Sequence, residues 1–207
     1  ASEVADSSKS KVLKSGQKMV DGLNFLNRMQ EFWYRRGMFA TSIKNTLKLY
    51  SPKAIINFSS YNDVEGAESS IDNKLINSLA LKQISEHSRD HQIPLIHIST
   101  DYVFNGEKGS YNEEDTTDPI NSYGQAKLEG EDYIRTICSE YMIIRTSWLY
   151  SCIEGRNSFL NKALEIYLSQ KDKVSGATDS IGSPTSAYSL ATVLIKIIPL
   201  FLEEKNL

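Results

Sequence analysis

Pro94-Leu95-Ile96-His97-Ile98-Ser99 is a short apolar run, opened by a proline and closed by small polar residues. It is too short for a globular helix and reads as a buried strand. Two more runs of the same kind lie on either side of it. Ala54-Ile55-Ile56-Asn57-Phe58 ends in Ser59 and Ser60, and Tyr141-Met142-Ile143-Ile144-Arg145-Thr146 leads into Ser147 and Trp148. Residues 71–90, between the first two runs, place Leu75, Leu79 and Ile84 on one side of a helix. A loop rich in Gly, Asn and Asp (105–118) and a second helix (122–137) separate the next two. Short apolar runs alternating with helices of ten or more residues indicate β-α units on a parallel sheet. Such strands are covered on both faces, so they read as continuous rather than alternating apolar runs. The expected fold class is α/β: a Rossmann-like parallel sheet with helices on both faces. Ligands on such sheets bind beyond the C-terminal ends of the strands, which puts residues 59–61, 99–101 and 146–148 on the functional rim.

Outward from this core the pattern changes. Residues 1–10 are polar and Ser-rich and are expected to be disordered. Residues 12–36 read as a helix with Val12, Met19, Leu23, Leu26 and Met29 at helical spacing, and Phe32 and Trp33 continuing the stripe. A helix over 41–50 is stopped by Pro52. Towards the C-terminus, helices are expected at 158–169 and 187–204. The chain thus divides into an atypical helical N-terminal segment (1–40), a Rossmann-like core (41–150) and a substrate-binding part (151–207).

The 207 residues are 40% hydrophobic and 24% charged with a net charge of −3, ordinary values for a globular domain. There is no basic block to engage nucleic acid, and no apolar run of membrane-span length. Cys138 and Cys152 form neither a disulfide framework nor a metal-ligand spacing. Free thiols, and a polar N-terminus without a signal-peptide core, point to the cytoplasm. No metal site is expected: His87, His91 and His97 lack ligand spacing. His87 and His91 fall near a helix C-terminus, and His97 reads as a core residue with one satisfied nitrogen.

The chemistry is carried by Tyr123-Gly124-Gln125-Ala126-Lys127. Tyr and Lys four apart share a helix face. A free phenol titrates near 10, too high for a proton donor matched to neutral pH, and a nearby ammonium lowers it. A phenol so tuned can protonate a carbonyl oxygen as hydride reaches the carbon. The bare motif is a weak signal, and its bland reading is two surface residues. Thr100, at the end of a strand, adds a hydroxyl that can stabilise the same oxygen; its bland reading, like that of Ser99, is a strand-end or capping role.

Several stretches resemble the dTDP-4-dehydrorhamnose reductase family. They are Ile96-His97-Ile98-Ser99-Thr100-Asp101-Tyr102-Val103-Phe104-Asn105-Gly106, the stretch from Asp118 through Tyr123 and Lys127 to Glu131, Arg145-Thr146-Ser147-Trp148-Leu149-Tyr150, and Asp179-Ser180-Ile181-Gly182-Ser183-Pro184-Thr185. Asn77 also falls where the family usually has Asn. The resemblance covers about residues 41–195. It implies Tyr123 as proton donor, Lys127 tuning it and binding the nicotinamide ribose, and Thr100 polarising the substrate carbonyl. It implies Ser59, Ser60 and Tyr61 on the cofactor side, and Asp101, Tyr102, Trp148, Ser183 and Thr185 on the substrate side. The implied activity is reduction of the 4-keto group of a dTDP-linked 6-deoxy sugar by NADPH or NADH. Some members are tied to Mg²⁺, for which no ligands are assigned; Glu113, Glu114 and Asp115 read as a solvated turn. A homodimer is compatible with this reading.

One family feature is missing. A glycine-rich turn normally lets the backbone approach the cofactor pyrophosphate at a helix N-terminus, yet residues 1–50 hold only Gly16, Gly22 and Gly37. The chain is therefore a fragment, or has lost the nucleotide site, or is completed by another chain, since an open parallel edge invites pairing. Phe25, Phe32, Trp33, Tyr34 and Phe39 offer aromatic surface to cover such an edge. Two other readings follow: a binding subunit similar to the regulatory β subunit of methionine adenosyltransferase, and an inactive remnant.

Overall fold

Three parallel strands form the main sheet. In the computed structural model, which describes residues 39–50, 52–151, 165–169 and 181–203, β1 (Ile55–Asn57), β2 (Leu95–Thr100) and β3 (Tyr141–Thr146) lie side by side in that order. Ile55 pairs with Leu95, Leu95 with Tyr141, and Thr100 with Thr146. All three strands sit where the apolar runs place them. The β1–β2 crossover is helical: α2 (Ile71–Lys74), a π-helical turn (Leu75–Leu79) and α3 (Ala80–His91). The β2–β3 crossover runs through a 3₁₀ turn (Asp101–Val103), a loop and α4 (Ser122–Ile137). α1 (Phe39–Tyr50) precedes β1 and packs on α3. The expected helix at 71–90 is interrupted by the π-turn; the one at 122–137 has the expected ends.

Local chemistry explains the boundaries. Gln92 stops α3 in the left-handed conformation (φ +54°), its N–H bonded back to the Arg89 carbonyl. Asn121 starts α4, its side chain accepting the Gly124 N–H at 2.8 Å. Gly124 is needed for close approach: a Cβ there would run into the Tyr102 carbonyl and sit 3.0 Å from Pro119 Cβ. The first turn of α4 therefore lies directly against the 3₁₀ turn after β2.

The core fills the space between sheet and helices. Ile55, Leu81, Ile84, Leu95, Ile134 and Cys138 form its centre, with Ile43, Leu47, Ile93 and Ile143 packed against them. Side chains alternate across a strand, so Ile55, Leu95 and Ile143 share a face with Asn57, His97, Ser99 and Arg145. On α4 the buried stripe reads Tyr123, Lys127, Glu131, Ile134, Cys138, the spacing of one helical face. Both surfaces are apolar at the N-terminal end of the sheet and polar toward the C-terminal ends, and the two polar halves meet.

A second sheet pairs β4 (Leu149–Tyr150) with β5 (Thr185–Ser186) in parallel, and α5 (Ala187–Glu203) follows. The expected N-terminal helix at 12–36 and most of that at 158–169 lie outside the described residues, as does the 1–40 segment apart from its last two residues. Among the described residues, no helix is long and apolar enough to cross a membrane.

Candidate active site

Tyr123 stands in the first turn of α4, and the start of that helix is held from three directions. Asn121 caps it; Glu68 accepts the Ser122 N–H at 2.9 Å and the Ser122 hydroxyl at 2.6 Å; Asn73 Nδ2 donates to the Ser122 carbonyl at 2.8 Å. The Tyr123 ring is buried and meets Tyr102 edge-on, with centroids 5.6 Å apart. Its hydroxyl faces the hydroxyls of Ser60 and Thr100. Burial pushes the phenol up, those two hydroxyls pull it back, and the Asp101 charge and Tyr102 push it up again. The net position is above the ordinary 10, so the phenol keeps its proton at neutral pH.

Lys127 corrects one expectation. Helical spacing points it at the phenol one turn away, but its Nζ is turned to the strand, donating to the Ile98 carbonyl at 2.9 Å and lying 3.3 Å from His97 Nε2. The side chain is 1% exposed. Burial brings it down to about 8, against the opposing pull of Glu131. His97 also differs from expectation, because both of its nitrogens are engaged: Nδ1 lies 3.0 Å from Asn57 Nδ2.

Residues 59–61 of the rim are held by two asparagines. Asn57 Oδ1 accepts the Ser59 N–H at 3.2 Å and the Ser59 hydroxyl at 2.5 Å. Asn77, in the π-turn, accepts from Ser60 Oγ and from the Tyr61 N–H, each at 3.0 Å, and donates to the Tyr61 carbonyl. A π-turn is a costly local distortion often found at functional sites; here it carries the clamp for residues 60–61.

Ser99 and Thr100 point to opposite faces. Thr100 faces the Tyr123 hydroxyl, accepts the Tyr102 N–H at 3.2 Å and donates to Asp101 Oδ1 at 3.3 Å. Ser99 faces α4 and donates to Glu131 Oε1 at 2.5 Å. Fully buried Glu131 also receives two bonds from Arg145, at 3.1 and 2.8 Å, and one from Arg135 at 2.7 Å. Burial pushes this carboxyl up, but the Arg145 and Ser99 hydrogen bonds and the two arginine charges hold it below the carboxylate range. The Arg145 guanidinium stacks over Phe104 at 4.8 Å.

Trp148, Ser183 and Thr185 form a second group on the small sheet. Trp148 adopts φ +43°, a left-handed conformation unusual for a bulky side chain and found where structure is strained for use. Its indole lies against Gly182, where a Cβ would be 2.5 Å from Cε2. The Thr185 N–H donates to the Trp148 carbonyl at 3.4 Å, and Thr185 Oγ1 donates to the Ser183 carbonyl.

Sequence reasoning did not single out Asn57, Asn73, Glu131 or Arg145. Glu131 carried a readable signal, lying four residues after Lys127 on the same stripe. Arg145 did too, as a charge inside an apolar strand. In the 113–115 acidic turn, Asp115 pairs with Lys108 at 2.5 Å. Among the described residues, no group of three or more His, Cys, Asp or Glu side chains could hold a metal ion, so Mg²⁺ has no ligand set there.

Comparison with known proteins places this chain among relatives. The model of the family described as RmlD substrate binding domain matches residues 37–206. A dTDP-4-dehydrorhamnose reductase of Aggregatibacter actinomycetemcomitans is 35% identical over 150 residues, covering 72% of this chain and 50% of that protein. One from Sinorhizobium fredii is 35% identical over 164 residues, covering 78% and 53%. Among solved structures, the dTDP-4-dehydrorhamnose reductase of Bacillus anthracis in complex with NADP superposes with a TM-score of 0.71 at 31% identity, covering 77% of this chain and 56% of that one. The chain spans about half the length of the curated relatives it matches.

Proposed function

The chain belongs to the dTDP-4-dehydrorhamnose reductase family, and from that premise we propose that it reduces the 4-keto group of dTDP-4-dehydro-L-rhamnose to give dTDP-L-rhamnose. The observation that carries this reading is the Tyr123 hydroxyl, which keeps its proton and meets the Ser60 and Thr100 hydroxyls where the C-terminal ends of β1 and β2 adjoin. A proton-bearing phenol beside a second hydroxyl can serve one developing oxyanion from two sides.

A nicotinamide dinucleotide, NADPH or NADH, supplies the hydride in such a reduction. The donor set suits its ribose and nicotinamide end: Ser59, Ser60 and Tyr61 on the β1 rim and Lys127 on α4. For the pyrophosphate the sequence offers no glycine-rich turn. Tyr123 gives its proton to the substrate oxygen, and Thr100 holds that oxygen by a hydrogen bond. Asp101 and Tyr102 flank the reacting end, and Trp148, Ser183 and Thr185 bind the sugar nucleotide. The cytoplasm is the compartment proposed, since the buried free thiol of Cys138 suits reducing conditions.

Calorimetric titration of the 207-residue chain with NADPH, repeated with NADH, tests the reading. Saturable binding that weakens in Lys127→Met supports it. Absence of binding contradicts it and favours either an inactive remnant, the reading that the missing glycine turn motivates, or a binding subunit.

A further inference from the structure

We propose that His97 is a positioning residue that sets the charge and location of Lys127, through a hydrogen-bond chain Ser59–Asn57–His97–Lys127 whose donor directions are fixed from the Ser59 end. The functional weight of this rests on the reading of Lys127 given above; the chain itself does not.

The directions follow from which atoms can only donate. The Ser59 N–H is such an atom, and it lies 3.2 Å from Asn57 Oδ1. The atom facing Ser59 must therefore be the amide oxygen, and the Ser59 hydroxyl donates to it as well at 2.5 Å. This leaves Asn57 Nδ2, also donor-only, facing His97 Nδ1 at 3.0 Å. Nδ1 then accepts, and a neutral imidazole that accepts at Nδ1 carries its proton on Nε2. Burial alone favours the neutral ring, and any charge on Lys127 lowers it further, well below the ordinary histidine value.

Nε2–H consequently points at Lys127 Nζ, 3.3 Å away. An ammonium has three donors and no lone pair, so it would set N–H against N–H. An amine accepts from Nε2–H and still donates to the Ile98 carbonyl at 2.9 Å. The docked position is thus built for the amine. The other charged or titratable groups around Lys127 do not reverse this. On α4, Glu131 is committed to Arg145 of β3 and to Arg135, and Tyr123 keeps its proton; Asp101 lies on the 3₁₀ turn after β2. Protonation releases Lys127 from His97 and lets the charge turn along the α4 stripe towards Tyr123, where it favours the phenolate.

Heteronuclear NMR of the labelled full chain tests this without cofactor or substrate, so failure of the reductase reading and failure of this proposal are separate results. The wild type is expected to show the Nε2–H tautomer of His97, with Lys127 titrating at about 8. Asn57→Asp keeps the shape and both Ser59 bonds but turns the His97-facing atom into an acceptor. It should flip His97 to the Nδ1–H tautomer and move Lys127 up toward the ordinary 10.5. An Nδ1–H tautomer in the wild type overturns the proposal even if the variant does not fold. So does an Asn57→Asp protein whose His97 tautomer is unchanged.

Discussion

Asn77 and Tyr61 exchange two hydrogen bonds: the Tyr61 N–H donates to Asn77 Oδ1 at 3.0 Å, and Asn77 Nδ2 donates to the Tyr61 carbonyl at 3.0 Å. One buried amide therefore does for the 60–61 segment what a neighbouring strand would do. The same oxygen holds Ser60, which in turn touches the Tyr123 hydroxyl. Asn77→Leu keeps the volume roughly but strands these partners. It should cost about 2–3 kcal/mol in urea unfolding, the cost of leaving buried polar groups unpaired. Asn77→Asp, which cannot donate to Tyr61 or Asn73, should be comparably harmful.

Glu131 joins β2, β3 and α4 through Ser99, Arg145 and Arg135. Glu131→Ala leaves Arg145 without its buried counter-charge and should destabilise by about 3–5 kcal/mol. The folded carboxyl lies below its ordinary 4.5, so its contribution is fully present above 4.5 and is lost as pH falls through the folded value. Glu131→Gln should accordingly flatten the acid limb of the unfolding curve, read by circular dichroism across that range.

Gly124 allows the first turn of α4 to touch the Tyr102 carbonyl. Gly124→Ala forces backbone apart at the point that sets Tyr123 against Thr100. Overpacking of this kind costs about 1–3 kcal/mol, measured as a fall in the urea midpoint. The fall in any reductase activity should exceed what the stability loss explains.

Lys127 loses its proton at about 8 in the folded chain, against 10.5 ordinarily. Between those values the unfolded chain binds more protons, so stability rises with pH; below about 8 the whole cost, roughly 3 kcal/mol, is present. Lys127→Met should be more stable than wild type at neutral pH and should lack this rise, in paired urea titrations at neutral and about pH 9.5.

The sheet was legible because buried parallel strands leave continuous apolar runs, and Ile55, Leu95 and Ile143 fall where those runs put them. α4 has the ends expected for it, 122 and 137, and the structure supplies the reason at its start, where Asn121 caps the helix. Rim logic places Thr100, and the family resemblance is what sets Tyr123 beside it. What was not legible is the polar layer. Asn57 and Asn73 fall inside an expected strand and an expected helix, and spacing alone does not tell that both are buried and hydrogen-bonded. His97 reads as a core residue with one bond because its two partners, Asn57 and Lys127, lie 40 and 30 residues away. Spacing sets Lys127 on the face of Tyr123 but does not fix the torsions of a four-carbon side chain, which turn its Nζ to Ile98 and His97.

The most direct measurement follows NADPH consumption with dTDP-4-dehydro-L-rhamnose, for wild type and Tyr123→Phe. Removing a positioned proton donor lowers the rate by about 10²–10⁴-fold. The account predicts turnover by wild type and a loss of that order in Tyr123→Phe, with NADPH affinity unchanged. Equal rates in the two proteins, or no consumption by the wild type, would contradict it.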